Sequence, residues 1–155
     1  MTTTASRGTS VTTPAGSAMR GLIAGAVGGL AGGVVFGLMM QLMDFIPMIA
    51  ALVGSDSVAV GWLVHLAISV FIGAVFGLAL SSRQASLGAW TAMGLVYGVI
   101  WWVLGPLLLM PAKLGMPVFQ FNDTVWKSLM GHMIFGLVLG AVTALVARRS
   151  SDRLR

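Results

Sequence analysis

Four apolar runs, each long enough to cross a bilayer as a helix, limit what this 155-residue chain can become. They lie at about Met19 to Met43, Val58 to Leu80, Ala85 to Leu104 and Thr124 to Ala147. A bilayer core about 30 Å thick takes roughly 20 residues of helix, and each run meets that length. Charge supports the same reading. Only 8% of the residues are charged while 57% are hydrophobic, whereas a soluble domain carries about a quarter charged residues to cover its surface. The expected fold is all-α: a polytopic membrane protein of four transmembrane helices, arranged as two tandem helical hairpins.

The segments around the runs are polar. Residues 1–18 are rich in Thr and Ser and lack acids, so a disordered cytoplasmic tail is expected. The apolar run that follows is too long for a cleaved signal and is expected to stay as an anchor. Ser55-Asp56-Ser57 and Asn122-Asp123-Thr124 offer N-cap side chains for the second and fourth helices. Ser81 to Gln84 reads as a tight turn, and residues 150–155 as a short basic tail. Gly105-Pro106 is expected to end the third helix, leaving Leu107 to Phe121 as a linker in the interface or over the bundle mouth.

The net charge of +5 is a topology signal. All seven Arg residues (Arg7, Arg20, Arg83, Arg148, Arg149, Arg153, Arg155) lie in the tails or the central turn, against Lys113 and Lys127 in or beside the other connections. The positive-inside rule then places both termini in the cytoplasm. The expected surroundings are the lipid bilayer, with a homo-oligomer or other membrane proteins as partners and no nucleic acid. Trp62, Trp101, Trp102 and Trp126 fall toward the outer interface and Trp90 toward the inner one, as an aromatic belt requires.

The two halves resemble each other. Gly33-Val-Val-Phe-Gly37 matches Gly94-Leu-Val-Tyr-Gly98 at an offset of 61 residues (33 to 94), and His65 with Gly73-Ala-Val matches His132 with Gly140-Ala-Val at an offset of 67 (65 to 132). Each unit holds two helices, so the copies enter the membrane the same way, as parallel repeats do.

Small residues recur every four positions: Gly21, Gly25, Gly29, Gly33 and Gly37 in the first helix, then Gly61, His65, Ser69, Gly73 and Gly77 in the second. Gly94 and Gly98 continue the pattern in the third helix, and Ser128, His132, Gly136, Gly140 and Ala144 in the fourth. In lipid no hydrophobic force draws helices together, so such stripes are expected to be packing seams where backbones approach closely.

The chain has neither Cys nor Glu. That removes disulfides, thiolate metal sites and Cys nucleophiles. No phosphate-binding loop, zinc-protease helix or serine-hydrolase elbow is present either, so an enzyme is not expected. Chemistry, if any, rests on His65 and His132. Each lies about eight residues into its helix, roughly 12 Å along the axis, and each sits on its helix's small-residue stripe. Ionisable groups at that depth are costly and point to function.

Three readings remain open. The imidazoles can be packing groups hydrogen-bonded to a neighbouring helix, with Ser69, Ser128 and Gln41 as partners. They can ligate haem b or another metal, copper included; eight Met residues (39, 40, 43, 48, 110, 116, 130, 133) lie in the outer half. Or an outer polar cluster of Gln41, Asp44, His65, Ser69 and His132, with Lys127 as a partner for Asp44, lines a path for protons or a small solute in a homo-oligomer. The expected function is that of a small membrane protein with a structural or interaction role, with these as alternatives.

Gly131-His132-Met133-Ile134-Phe135-Gly136, opening the last helix after a Pro-rich linker, resembles YagU-like inner-membrane proteins of bacteria. It also resembles other small four-helix bacterial membrane proteins whose last helix starts with Gly-His. The resemblance covers mainly the fourth helix. It implies a bacterial inner (cytoplasmic) membrane and draws attention to His132, and it brings no enzymatic activity with it.

Overall fold

A computed structural model describes residues 14–83 and 85–152. In chain order the elements are α1 (Pro14–Leu42), α2 (Ile46–Ala51), α3 (Val58–Ala79), α4 (Leu87–Trp102), a π-helical segment π1 (Val103–Leu109), α5 (Met110–Lys113) and α6 (Asp123–Asp152). The described residues contain no strand. Four spans are long and apolar enough to cross a membrane: Ala15–Leu42, Val58–Ala79, Leu87–Lys113 and Asp123–Arg149. The chain is a multi-pass, all-helical membrane protein.

The glycines show how the spans pack. A Cβ on Gly25 would strike the carbonyl of Gly73, and one on Gly73 would strike that of Gly25. Gly77 stands in the same way against Gly21, and Gly29 against Ser69. These pairs run antiparallel along α1 and α3. A second seam joins α4 to α6, where Gly94 faces Gly136, Gly98 faces the carbonyl of His132, and Gly140 faces that of Trp90. Helices this close gain dispersion and Cα–H···O contacts that a lipid chain cannot reproduce.

A third seam joins the two pairs, and the four-residue stripes do not show it. Gly28 and Gly32, on another face of α1, lie against Leu139, Thr143 and Phe135 of α6. Thr143 is 1% exposed, and its hydroxyl rests on Gly28 without a conventional hydrogen-bond partner; the Gly28 Cα–H is the weak donor available there. The spans are thus ordered α3–α1–α6–α4, with α1 and α6 central. Accordingly 44% and 39% of their most apolar windows are buried, against 28% and 22% for the flanking spans.

Three sequence expectations need correction. The first helix begins at Pro14 rather than Met19 and the last continues to Asp152 rather than Ala147, so residues 14–18 and 150–152 are helix rather than tail. Pro suits the first position of a helix because its missing N–H has no partner there in any case. Residues 1–13 and 153–155, the rest of the expected tails, and Gln84 of the central turn lie outside the described residues. The apolar stretch after Asp44 is not plain linker, since it forms α2.

The third correction shapes the site. Gly105-Pro106 does not end the third span. In an α-helix the Trp102 carbonyl would turn to position 106, where Pro has no N–H. The π register hands it to Leu107 instead, and the same register closes with Met110 N–H on the Gly105 carbonyl. Pro111 then deprives Leu107 of its α-helical donor in the same way. The Leu107 carbonyl accepts from Phe119 N at 2.8 Å, which folds the linker back over π1. Phe119 holds a left-handed backbone (φ 54°) to do so, a strain of about 1–3 kcal/mol for a bulky residue.

Candidate functional site

The end of the bundle away from both termini, here called distal, is hollow. A cavity of about 760 Å³ lies there, within the range of about 300–1,000 Å³ typical of small-molecule sites. Its back wall is Phe36 and Met40 of α1 with Ser128, His132 and Phe135 of α6. One flank is His65, Ile68, Ser69 and Ile72 of α3, and the other Trp101, Gly105, Pro106 and Leu109. Met48 and Ile49 of α2, Leu52 just after it and the linker after α5 form the roof. Toward the termini, Tyr97 of α4 donates its hydroxyl to the Ile72 carbonyl of α3 at 3.0 Å, with the Phe76 ring tilted against it at 5.2 Å. The remaining side, between α3 and α4, carries no element. Ile68 (41% exposed) and Leu109 (55%) are exposed apolar lining residues on that side and mark a mouth there.

His65 and His132 both line this cavity, but they are not equivalent. His65 is buried, its Nε2 lies 2.9 Å from the Gly33 carbonyl, and its ring packs edge-on against Phe36 and Trp62. A carbonyl only accepts, so Nε2 carries the proton and cross-links α3 to α1. His132 turns the other way. Its Nδ1 lies 2.8 Å from the Ser128 carbonyl of its own helix, with the Ser128 hydroxyl at 3.3 Å. In the neutral ring Nδ1 therefore holds the proton and Nε2 the lone pair. No protein group among the described residues hydrogen-bonds Nε2, and a Cβ built on Gly105 stands 4.0 Å from it.

Phe36 stands between the two imidazoles, its ring centroid 5.6 Å from His65 and 4.8 Å from His132. Bis-imidazole ligation of a haem needs an open slot between two free nitrogens. Here the slot holds a phenyl ring and one Nε2 is committed to Gly33, so the residues do not fit haem b. Among the described residues no three His, Asp or Glu side chains gather as a metal site.

The expected outer polar cluster divides. Ser69, His65 and His132 meet in the cavity, while Gln41, Asp44 and Lys127 are not among its lining residues. Gln41 accepts a hydrogen bond from Trp62 Nε1 at 3.0 Å. Asp44 sits exposed in a left-handed turn (φ 57°) that ends α1, and Lys127 is exposed on α6. Lys113, Gln120, Asn122 and Thr124 supply the polar rim instead. Of the distal methionines, Met40, Met48, Met110 and Met116 line the cavity, while Met130 and Met133 face outward.

Two features of the site escaped the sequence reading. Phe36 lies between Gly33 and Gly37 in a helix apolar on every side, so no periodicity marks it as the wedge. Gly105 and Pro106 were legible only as a stop signal. Comparison with known proteins adds no relative: no family model matches the sequence, and no curated protein or solved structure matches it either.

Proposed function

We propose that this chain is a ligand-binding protein of a bacterial cytoplasmic membrane and not an enzyme, holding a small lipid-soluble molecule in the distal cavity. The observation that carries this reading is the cavity itself: largely apolar walls, a few buried polar groups among them, and the exposed apolar side chains of Ile68 and Leu109 at its edge, as suits entry from lipid. It gives a binding site to the non-catalytic component expected from the sequence. The arginine distribution supports an orientation with both termini inside and the cavity in the outer leaflet.

The two hairpins are also proposed to be copies of one unit. In support, the contacts Gly33 with Ser69, Gly37 with His65 and Gly29 with Gly73 transfer, under the offsets of 61 and 67, onto Gly94 with Gly136, Gly98 with His132 and Trp90 with Gly140. A soft monovalent metal on His132 Nε2 is the second reading, favoured by the four methionines in the cavity wall and by the Nδ1–H···O=C bond that orients a ligating imidazole.

Lipid extracts of the protein, purified in native-membrane discs, test the first reading. A plugged variant, Ile68→Trp with Leu109→Trp, serves as the control. The native chain is expected to carry a lipid-soluble compound at near one-to-one ratio that the plugged variant lacks. Identical extracts, with stoichiometric copper lost on His132→Phe, would establish the metal reading in its place.

A further inference from the structure

The comparison of the two histidines goes further, on the premise that the cavity is a binding site. The residue equivalent to Gly33 in the second half is Gly94, yet His132 does not bond to it. It bonds Ser128 on its own helix and leaves Nε2 facing the cavity beside Gly105. One histidine is thus spent on holding α3 to α1, while its counterpart presents a bare acceptor. We infer that His132 Nε2 accepts a hydrogen bond from the ligand's hydroxyl, and that the ligand is a lipid-soluble phenol or hydroquinone.

Three observations select that class. First, the buried polar groups of the lining lie together on the α3 and α6 walls, where Ser69 and Ser128 are 3% and 8% exposed beside His132. An acyl chain there would leave the His132 Nε2 lone pair against methyl groups, so the buried end of the ligand is polar. Second, the tautomer fixed by the Ser128 carbonyl makes Nε2 an acceptor, which demands a donor: a quinone or ketone oxygen has no hydrogen to give. Third, the walls beside Nε2 are aromatic and flat, with Phe36 against the imidazole and Phe135 and Trp101 in the lining. A planar ring suits them, and aromatic pairs favour offset or edge-to-face contact. The apolar tail of such a molecule leaves by the mouth between Ile68 and Leu109. A single metal ion would leave most of the cavity empty.

Binding of 4-octylphenol and of its methyl ether to the protein in lipid nanodiscs, compared as mole fractions in the bilayer, tests this. The two probes differ only in the donor hydrogen. The phenol is expected to bind about tenfold more tightly, as one hydrogen bond to an otherwise unpaired acceptor implies. It is also expected to shift the ¹⁵N resonance of the unprotonated His132 nitrogen. His132→Phe should keep binding of the ether and lose the preference. Gly105→Ala, whose methyl meets nothing nearer than Nε2 at 4.0 Å, should fold normally and weaken the preference as well. Equal affinity for the two probes would overturn the assignment of His132 while leaving the cavity as a site. Failure of both probes to bind would remove the cavity reading, and the assignment with it.

Discussion

Gly73→Leu is expected to separate α1 from α3 and to abolish the folded protein in mild detergent. The new side chain would meet the Gly25 carbonyl and the backbone of Gly29, none of which can rotate aside as a side-chain end can. Overpacking a core costs about 1–3 kcal/mol where side chains yield, and a side chain driven against backbone lies above that range. Gly25→Leu should behave alike, because the contact is reciprocal. Gly88, in the first turn of α4, supplies the control: a Cβ there meets nothing within 4 Å. Gly88→Ala is expected to raise stability by roughly 0.5–1 kcal/mol through helix propensity alone. Thermal unfolding of the three variants beside the native chain is the check. A Gly73→Leu protein that melts with the native one would remove the backbone seam as the source of cohesion.

Phe36→Ala should produce the second large effect. The ring is 5% exposed and lies across Gly131 as well as both imidazoles. In a water-soluble core its loss would cost about 3–5 kcal/mol. Part of that sum is transfer from water, which disappears when the alternative environment is lipid. A loss of about 2–3 kcal/mol is therefore expected here, from the void and the broken ring contacts. Phe36→Leu should recover part of it. The ligand preference should fall with stability, since the same ring holds His132 in place. Unchanged melting in Phe36→Ala would mean that the two histidines are held by their hydrogen bonds alone.

The difference between what could and could not be read from sequence has a physical basis. The number of spans was legible because apolar runs must match the bilayer, while the ends of the first, third and fourth were not. The arrangement of α1 was only half legible. Gly21 to Gly37 form an obvious stripe, but Gly28 and Gly32 form a second one toward α6, and in a helix apolar all round the two faces look the same. Burial leaves no periodic mark when the solvent is as apolar as the core. The depth of His65 and His132 was readable from helix geometry, yet their different roles were not, because these depend on which way each ring turns. Pro106 was misread for a chemical reason. A missing N–H ends an α-helix unless a neighbouring N–H is brought into its place, and the shift to a π register does that. Gln41, Asp44 and Lys127 are near the distal end in sequence, but a side chain at the right height can still point out of the bundle.

Because the chain has no cysteine, single thiols report directly on whether the distal end is hollow and the α1–α6 seam tightly packed. Ser128→Cys and Thr143→Cys sit on the same helix, one in the cavity wall and one packed against Gly28. Labelling of both variants with a small lipid-soluble maleimide in nanodiscs is the most direct measurement. Ser128→Cys is expected to react readily and to be protected by 4-octylphenol, while Thr143→Cys stays unlabelled until the protein is denatured. Equal labelling of the two positions, or an unreactive Ser128→Cys beside a reactive Thr143→Cys, would contradict a lipid-accessible cavity built around His132.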